Sequence, residues 1–499
     1  MADYDIAVIG GGINGVGVAR DAAGRGLKVL LVEQGDLASG TSSASTKLVH
    51  GGLRYLEQWA FRLVRESLAE RETLLKQAPH LVRPIRIVLP VQKGARRPWL
   101  LRAGLYLYDW LAHGSVLPGS SDLDLNMSLA GGPLRRTYIA GFEYSDCTVD
   151  DARLVIANAL DAAERGAKVM TRTRCVRVER GDEWSLVLNS HGKREVVTAR
   201  VLVNATGPWT ALFSEMVVRQ KKKAPVRLVK GSHIVVRKLF EHNRAYIFQN
   251  ADRRVVFAIP FEQDYTLIGT TDNDFVGDLA AVAPTRDEII YLCDAVSMYF
   301  RDLVSIGDVV WAFAGVRPLY DNGKNAAQDT TRDHVLKIDA GYQRSPLVNL
   351  YGGKLTTYRR VAEEIVDKIA KYFVPSQRWT ADATLPGGDL GGDTIDQYSA
   401  QARERWPFLD ELHLNRLVAA YGSRIERILG TADKIEDLGA DLGQTLTAAE
   451  VRYLMQHEWA ETADDVLWRR SKLGLKFTKP QKEALAQFMA RGAGAPAAA

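Results

Sequence analysis

The amino-acid sequence predicts an α/β protein with a nucleotide-binding domain, an antiparallel-sheet domain and a helical domain. Three observations predict this fold class: a glycine-rich turn joins a strand to a helix early in the chain, strand follows strand from 226 to 271, and strand patterning is missing after residue 393. A chain of 499 residues also exceeds the size that one hydrophobic core usually serves. We therefore expect two or three domains.

The composition narrows the class of protein without indicating a function. Hydrophobic residues make up 46% and charged residues 25% of the chain, which is typical of globular proteins and excludes disordered and disulfide-scaffold classes. A net charge of +5 is too diffuse to indicate a nucleic-acid partner. Cys147, Cys175 and Cys293 lie far apart without CxxC spacing, so we interpret them as small core residues in a reducing compartment.

The first residues predict a cytoplasmic location. Asp3 and Asp5 lead directly into a strand, without the basic, apolar and small-residue order of a signal peptide. No window reaches the roughly 20 apolar residues that are needed to cross a bilayer. Any membrane contact is therefore expected to be peripheral or monotopic.

Residues 5 to 33 predict a βαβ unit that binds a dinucleotide. Gly10, Gly12 and Gly15 form GxGxxG between the first strand and the first helix: the first glycine makes the turn, the second allows a pyrophosphate to approach, and the third lets the helix pack on the strand. Glu33 ends the second strand, where an acid accepts hydrogen bonds from an adenosine ribose. The same turn serves NAD and FAD, so it does not select the cofactor.

The later elements follow from changes in periodicity. A helix is predicted from 150 to 165, ended by Gly166, and strands are predicted at 168–178, 184–189 and 201–207. The chain then forms an antiparallel sheet and returns to the nucleotide-binding domain through VVWAFAGVRPL and PLVNLYGG. A helix is predicted to begin at Leu355, because Val361, Ile365, Ile369 and Phe373 recur at helical spacing.

These patterns predict three domains. We assign 1–80, 145–225 and 310–380 to a discontinuous nucleotide-binding domain, 81–144 and 226–309 to an antiparallel-sheet domain, and 385–499 to a C-terminal helical domain.

The segment SGTSSASTKLVHGGLRYLE at 39–57 favours a flavin. Its small residues would lie along a flavin with little steric hindrance, and the hydroxyls of Thr41, Ser42 and Ser45 would meet phosphate or ring edges. A solvated Ser/Thr loop is the alternative for such a segment taken alone.

A series of motifs extends through nearly the whole chain. In order they are GGGINGVGVARDAAGRG, TSSASTKLVHGGLRYLE, GFEYSDCTVDDARL, VNATGPW, KGSHIVV, IGTTD, GVRPL, TRDH, GGKLTTYR and HEWAETADDVLWRR. Together they closely resemble the aerobic, FAD-dependent glycerol-3-phosphate dehydrogenases of bacteria. The resemblance implies a glutathione-reductase-type FAD-binding domain, a substrate domain capping the flavin, and a C-terminal helical domain.

The resemblance also implies the reaction and its partners. The enzyme would convert sn-glycerol 3-phosphate to dihydroxyacetone phosphate, and ubiquinone or menaquinone would reoxidise the flavin at the cytoplasmic face of the inner membrane. No metal ion is expected, and the oligomeric state is left open, a homodimer included.

The residues implied to bind FAD, non-covalently, come from the two glycine turns, the hydroxyl-rich segment and the strand ends between them. They are Gly10, Gly12, Ile13, Asn14, Gly15, Glu33, Thr41, Ser42, Ser45, Lys47, Leu48, His50, Gly52, Val176, Ala205, Gly207, Trp209, Gly353, Lys354, Leu355 and Thr356.

A phosphate dianion favours arginine, because a guanidinium gives paired, charge-assisted hydrogen bonds. Arg54, Arg317 and Arg332 lie in family-like motifs, and Tyr55 and Lys354 would complete the pocket by analogy. An arbitrary arginine is more often a surface charge or a structural ion pair. The expectation that these residues converge therefore comes from the resemblance.

Hydride transfer from C2 of the substrate requires a group that takes the hydroxyl proton. His233, on the KGSHIVV strand, is the predicted base, with a satisfied core histidine as the alternative. Arg317 is the candidate for stabilising the developing alkoxide, and His50 is a second candidate for the base. Lys354 and the helix after it would place positive charge near the reduced flavin.

Two segments are candidates for membrane contact, namely 96–114, with Trp99, Tyr106, Tyr108 and Trp110, and 468–479, with Leu473, Leu475 and Phe477. Ordinary packing inside the protein is the alternative for both.

Other functions are compatible with parts of the sequence. An FAD-dependent amine or amino-acid oxidase would need one arginine for a carboxylate rather than several for a phosphate. A non-catalytic flavin-binding protein would show no turnover, and NAD-dependent dehydrogenation is disfavoured by the segments after Glu33.

Overall fold

The computed structural model describes residues 2–91, 98–220, 225–250, 252, 254–321, 333–340, 344–374 and 377–492. The strands are β1 (Tyr4–Ile9), β2 (Val29–Val32), β3 (Leu48–Val49), β4 (Val82–Val91), β5 (Ser121–Asp124), β6 (Ala140–Val149), β7 (Lys168–Met170), β8 (Thr173–Arg180), β9 (Trp184–Ser190), β10 (Lys193–Asn204), β11 (Val226–Arg237), β12 (Arg244–Gln249), β13 (Val255–Phe261), β14 (Tyr265–Gly269), β15 (Asn273–Asp274), β16 (Val309–Tyr320), β17 (Val335–Asp339) and β18 (Leu347–Tyr351). The α-helices are α1 (Ile13–Gly24), α2 (Phe61–Gln77), α3 (Pro98–Leu111), α4 (Asp151–Glu164), α5 (Thr210–Leu212), α6 (Arg286–Ser297), α7 (Tyr358–Ile369), α8 (Ile395–Arg405), α9 (Glu411–Tyr421), α10 (Ile425–Leu429), α11 (Ala448–His457) and α12 (Lys479–Gly492).

The first sheet carries the predicted nucleotide-binding unit. Its strands run in the order β17-β18-β10-β1-β2-β7, and β1 is parallel to both β10 and β2. Strands β8 and β9 continue from β10 as an antiparallel extension. The apolar faces of α1, α4 and α7 cover one side of this sheet in a common core with residues such as Val16, Val155 and Ile365. The parallel strands β1, β2, β10 and β18, with helices packed on one face, confirm the α/β prediction.

Helix α4 shows how local signals set an element's limits. The side chain of Asp150 accepts a hydrogen bond from the Arg153 N–H at 3.0 Å and so caps the first turn. Gly166, with φ +95°, lies just beyond the end. The prediction of a helix from 150 to 165 is confirmed to within one residue at each end.

Two predicted boundaries are wrong. The strand predicted at 168–178 is split into β7 and β8, because Arg172 adopts a φ of +50° between them. The helix predicted to begin at Leu355 begins at Tyr358 and ends at Ile369, so Phe373 lies beyond it. In both cases helical or strand periodicity extends past the point where the backbone turns.

The second sheet is mostly antiparallel and forms the cap. Its strands run in the order β15-β11-β14-β13-β12-β4-β6-β3, with β16 on the other edge of β11 and β5 on β6. Helix α6 packs on one face, and α2 and α3 pack on the other.

Strand β16 corrects the predicted domain limits. It pairs with β11 along nearly its whole length, from Val226 opposite Tyr320 to Val236 opposite Val309. We predicted 310–380 as part of the nucleotide-binding domain, so this assignment is wrong for residues 310–320. Residues of β3 and β6 that we placed in the nucleotide-binding domain also pair in the second sheet. Partners this distant in sequence leave no signal in local periodicity.

The C-terminal domain contains helices α8 to α12 and has a core of its own, as predicted. Thr394, Asp410 and Thr447 cap the first turns of α8, α9 and α11. A π-helical segment, Asp465–Arg470, leads back toward the first domain.

The three cysteines are buried free thiols, which confirms their predicted place in the interior. Among the described helices, none is both long enough and apolar enough to cross a membrane.

Candidate active site

The glycine turn (residues 10–15) is built so closely that no side chain can be accommodated at Gly10 or Gly15. Gly10 has φ +115°, and a β-carbon there would lie 2.5 Å from the Ala205 carbonyl oxygen. A β-carbon on Gly15 would lie 1.8 Å from the Gly10 carbonyl oxygen. Strand β1, strand β10 and helix α1 therefore approach each other as a dinucleotide-binding turn requires.

Glu33 is held by backbone donors of its surroundings. Its Oε2 accepts a hydrogen bond from the Gly11 N–H at 2.6 Å, and its Oε1 accepts one from the Gly35 N–H at 2.7 Å. Burial raises the pKa of this carboxyl, while the two N–H donors act in the opposite direction. The acid thus has a set orientation at the end of β2, where we predicted a ribose contact.

The hydroxyl-rich segment connects the two sheets. The Thr41 hydroxyl donates to the Val316 carbonyl at 2.7 Å, and Ser42 Oγ accepts a hydrogen bond from the Ile13 N–H at 2.9 Å. Gly315 on β16 passes so near that a β-carbon there would lie 3.0 Å from the Ala44 β-carbon. The segment therefore lies between α1 of the first domain and β16 of the cap.

Asp151 engages two residues that we predicted to bind the cofactor. The Ser45 hydroxyl donates to Asp151 Oδ2 at 2.7 Å, and Lys47 Nζ lies 2.8 Å from both carboxylate oxygens. Lys47 Nζ also donates to the Ser43 carbonyl at 2.9 Å. The structure thus shows that the side chains of Ser45 and Lys47 stabilise the hydroxyl-rich segment through Asp151 and the segment's own backbone.

Other predicted cofactor residues lie where the first domain and the cap meet along the hydroxyl-rich segment, a region that we call the cleft. Leu48 is buried in β3, and the His50 N–H donates to the Thr356 hydroxyl at 3.4 Å. Gly52 has φ +81°, and Trp209 lies within 3.5 Å of a β-carbon built on Gly40.

Two predicted residues lie in the first sheet or directly after one of its strands. Val176 lies at a β-bulge of β8, and Gly207 begins the turn that follows β10.

A second glycine turn meets the first. Gly352 and Gly353 have φ +72° and +91°, and the Asn14 side-chain N–H lies 3.5 Å from the Gly352 carbonyl oxygen. The Oδ1 of Asn14 is buried and has no hydrogen-bond partner among the described residues. Such an atom between two glycine turns fits a bound group that supplies the missing partner. Lys354, Leu355 and Thr356 follow this second turn, as the FAD prediction requires.

His233 is a buried histidine beside the cleft. Its Nε2 lies 3.0 Å from the Thr46 hydroxyl, and its ring stacks on Phe313 at a centroid distance of 5.0 Å. The Nδ1 atom is buried without a hydrogen-bond partner in the part of the chain that the structure describes. Burial, and then the charges of Arg317 and Lys47, hold the pKa of His233 well below its ordinary value. The imidazole is therefore neutral at physiological pH.

Two of the predicted arginines converge on one carboxylate. Arg317 Nη1 forms a short ion pair with Asp272 Oδ1, and Arg54 Nη1 lies 4.0 Å from Asp272 Oδ2. We call Arg54 and Arg317 the arginine pair. A β-carbon on Gly231, two residues before His233, would lie 2.7 Å from an Arg317 nitrogen. The arginine pair and His233 therefore occupy one region of the cap.

Tyr55 and Lys354 also come together. Lys354 Nζ lies 3.8 Å from the centre of the Tyr55 ring, which is a cation–π contact. Because Tyr55 follows Arg54 in the chain, this contact brings Lys354 to the turn that carries Arg54. Arg332 lies outside the described residues, so its position relative to the pocket stays a prediction.

The sequence prediction missed three residues of this site, namely Thr46, Asp272 and Phe313. Asp272 carries the only available signal, since it closes the IGTTD motif as an acid after a buried strand. Thr46 and Phe313 lie within motifs but resemble ordinary loop and core residues.

The fold and the two glycine turns define a flavin-dependent oxidoreductase. Residues 5–359 match the family model described as FAD dependent oxidoreductase. Residues 357–494 match the model described as C-terminal domain of alpha-glycerophosphate oxidase.

Three comparisons give the particular family. A glycerol-3-phosphate dehydrogenase of Pseudomonas aeruginosa is 49% identical over 489 residues, covering 97% of this chain and 95% of that protein. A D-erythritol 1-phosphate dehydrogenase of Brucella abortus is 46% identical over 489 residues and covers 97% of each chain. The solved glycerol-3-phosphate dehydrogenase of Bacillus halodurans complexed with FAD is 29% identical, with a TM-score of 0.78 over 98% of this chain and 90% of that one. The chain belongs to the bacterial FAD-dependent glycerol-3-phosphate dehydrogenases, and FAD is its cofactor.

Proposed function

We propose that the protein oxidises sn-glycerol 3-phosphate to dihydroxyacetone phosphate, with FAD as hydride acceptor and a membrane quinone as final electron acceptor. The observation that carries this proposal is the arginine pair beside His233, in a chain 49% identical to a glycerol-3-phosphate dehydrogenase. A small substrate with a phosphate at one end and a secondary alcohol next to it fits such an arrangement.

The arginine pair binds the phosphate group. Both guanidinium groups are about a quarter exposed, so they are reachable from the cleft. A dianion that enters the pocket shares these donors with Asp272, and charge-assisted hydrogen bonds from guanidinium are the strongest available for phosphate. Arg332 is the proposed third donor.

His233 accepts the proton of the C2 hydroxyl at Nδ1. This atom has no partner among the described residues, while Nε2 can donate its proton to the Thr46 hydroxyl at 3.0 Å. In the tautomer that carries its proton on Nε2, Nδ1 is left as the acceptor. Arg317, whose charge reaches His233, stabilises the negative charge that develops on the substrate oxygen.

FAD, when bound, accepts the hydride that leaves C2. Two features of the chain favour this transfer. The glycine turns leave room for the cofactor, and Lys354 supplies positive charge after Gly353. His50 remains a second candidate for the base, although its ring edge faces Phe257 at 6.4 Å between ring centres.

A second candidate substrate is D-erythritol 1-phosphate, because a relative that is 46% identical over 97% of this chain carries that name. Both substrates combine a phosphate with a polyol, so the same arginine pair and base would serve either one. The length of the polyol distinguishes them.

Quinone reduction requires that the protein reach a membrane surface, and α3 is the proposed point of contact. Leu105 and Tyr108 of this helix face the interior, whereas Trp99, Tyr106 and Trp110 are 63%, 59% and 73% exposed. Aromatic side chains on one face of an amphipathic helix suit the headgroup region of a bilayer. Arg96 and Arg97 of the predicted segment lie outside the described residues.

The second predicted membrane segment is packed inside the protein. Leu473 is buried in the C-terminal core, and Trp468 stacks on Trp311 with 4.6 Å between ring centres. Leu475 and Phe477 also pack against core clusters. Domain packing explains this segment, and we do not propose it as a membrane contact.

Anaerobic mixing with substrate tests the chemistry. We expect sn-glycerol 3-phosphate to bleach the flavin absorbance, with D-erythritol 1-phosphate less effective at equal concentration. Bleaching by an amino acid or a primary amine, and not by either phosphate, would support the amine-oxidase alternative instead. Absence of bleaching by any of these compounds would favour a non-catalytic flavin protein.

Binding to liposomes that contain anionic lipid tests the membrane contact. Replacing both Trp99 and Trp110 with serine should weaken binding about 30-fold or more, because each exposed indole loses roughly 1 kcal/mol or more of apolar transfer energy. Met127→Ser with Leu129→Ser is the matched control, since these side chains are also highly exposed but lie outside α3. Equal binding by both double variants would exclude α3 as the contact.

A further inference from the structure

The glycine turn and the acidic turn (residues 33–39) form one hydrogen-bonded unit. Gly11 donates its N–H to Glu33 and accepts a hydrogen bond at its carbonyl oxygen from the Ala38 N–H at 3.1 Å. A β-carbon on Gly11 would lie 2.7 Å from the Glu33 side chain and 2.8 Å from Leu37. A displacement of the acidic turn therefore displaces the glycine turn as well.

The C-terminal domain holds this unit through Asp36. Arg470 donates to both carboxylate oxygens of Asp36 at 2.8 Å, and Arg469 donates to Oδ2 at 2.5 Å. The side chains of Asp36 and Arg470 are completely buried. Arg470 also donates to the Glu458 carbonyl at 2.6 Å. A buried carboxylate between two guanidinium groups has no water to replace a lost partner.

Arg172 forms a second link between the acidic turn and the C-terminal domain. The Arg172 N–H donates to the Gly35 carbonyl at 3.0 Å, and its guanidinium donates to both oxygens of Asp465 at 2.7 Å. Asp465 also accepts hydrogen bonds from the backbone N–H groups of Glu461 and Thr462 at 2.9 Å. Burial acts to raise its pKa, but the hydrogen bonds from Arg172 and Glu461 prevail and the pKa of Asp465 falls to about 2.

The π-helical segment brings the required side chains together. Asp465, Arg469 and Arg470 belong to Asp465–Arg470, and Arg469 also pairs with Asp465. This short segment of the C-terminal domain thus contacts both the acidic turn and Arg172. The acidic turn and the glycine turn both belong to the first domain.

We propose that the C-terminal helical domain clamps the FAD-binding turns, with Asp465, Arg469 and Arg470 as positioning residues for the cofactor. They do not need to touch FAD. Arg469 and Arg470 bind Asp36, and Asp465 binds Arg172. Asp36 and Arg172 in turn fix the position of the acidic turn, which carries Glu33 and is hydrogen-bonded to the glycine turn. The inference depends on FAD as the cofactor and not on the identity of the substrate.

The test measures FAD affinity in the full-length holoenzyme, by ultrafiltration and fluorescence of the released flavin over a dilution series. Arg469→Met and Arg172→Met should each raise the FAD dissociation constant by about tenfold or more. Both side chains are partly exposed, at 17% and 26%, so the variants are expected to fold. Arg172→Lys should recover much of the affinity, because lysine still donates to Asp465.

Arg424→Met is the matched control. Arg424 also joins the C-terminal domain to the first domain, through Glu164 at the end of α4 at 2.7 Å, but far in sequence from the acidic turn. This variant should lower the thermal unfolding midpoint and keep the FAD dissociation constant near that of the unmodified protein.

Two results would overturn the proposal. One is an unchanged FAD dissociation constant in both Arg469→Met and Arg172→Met. The other is an equal loss of affinity in Arg424→Met, which would show that domain docking in general, rather than the grip on the acidic turn, retains the cofactor.

Discussion

The proposed cofactor cradle and the proposed substrate pocket of this protein consist of different kinds of contact. The cradle, formed by the glycine turn, Glu33 and the hydroxyl-rich segment, is made mainly of backbone atoms and of contacts too close for side chains. The pocket is made of charged and aromatic side chains from strands and turns that lie far apart in the chain. We expect added atoms to damage the cradle and removed atoms to damage the pocket.

The largest effect is expected in the cradle, from one added methyl group. Gly15→Ala places a β-carbon 1.8 Å from the Gly10 carbonyl oxygen, so α1 must move away from β1 and the cofactor turn is lost. The purified variant should contain little or no FAD, as measured by its absorbance ratio at flavin and protein wavelengths. Gly104→Ala is the control, because a β-carbon in that position meets no atom within 4 Å. A fully loaded Gly15→Ala protein would contradict the close-packing argument.

The next effect is expected in the pocket, from removal of the base. His233→Ala should slow flavin reduction roughly 10²–10⁴-fold, which is the usual contribution of general base catalysis. FAD content should stay normal, since His233 lies in the cap and not among the glycine turns. Stopped-flow anaerobic reduction measures the rate. An unchanged rate would assign proton transfer to another group, with His50 as the first candidate to test.

A smaller effect is expected from the arginine pair. Arg317→Ala should raise the substrate KM about 10- to 100-fold, because a charged hydrogen bond contributes about 1.5–3 kcal/mol. Arg227→Ala on β11 is the control, since its ion pair with Asp274 lies at the surface and exposed pairs contribute little. Steady-state kinetics with an artificial electron acceptor distinguishes the two variants. Equal KM values for both would remove Arg317 from the phosphate site.

Removal of a side chain from the cradle should matter less than addition of one. Ser42→Ala deletes the hydroxyl that accepts a hydrogen bond from the Ile13 N–H. We expect the free energy of FAD binding to weaken by about 1 kcal/mol, which is roughly fivefold in affinity. Equilibrium dialysis of FAD measures the change. A complete loss of FAD from Ser42→Ala would show that side chains, and not backbone, carry the cradle.

The smallest effect is expected from pH. A histidine with a lowered pKa is neutral above that pKa and becomes protonated only when the pH falls well below its ordinary value. The flavin-reduction rate should therefore be nearly constant between about pH 6.5 and 8. A rate that halves near pH 6.5 in stopped-flow experiments would mean that the base is not shielded as the structure indicates.

Prediction from sequence succeeded for the glycine turn and for α4 because their signals are local. Spaced glycines, an acid at a strand end and a capped helix each act within a few residues, and the structure shows the tight turn, Glu33 directly after β2, and α4 nearly as expected. The placement of β16 failed for the opposite reason. Its partner β11 lies more than seventy residues earlier in the chain, at Val226–Arg237 against Val309–Tyr320.

The sequence alone determined the α/β class, the dinucleotide turn, the helical C-terminal domain and the residue types that a flavin and a phosphate require. Only the tertiary structure decided that Arg54 and Arg317 share Asp272, that Asp151 engages Ser45 and Lys47, and that Asp36 is held from the C-terminal domain. The physical reason is distance along the chain. Backbone constraints are local and leave a pattern, whereas charges meet wherever packing of the sheets and domains brings them, and the sequence around each charge carries no record of its partner.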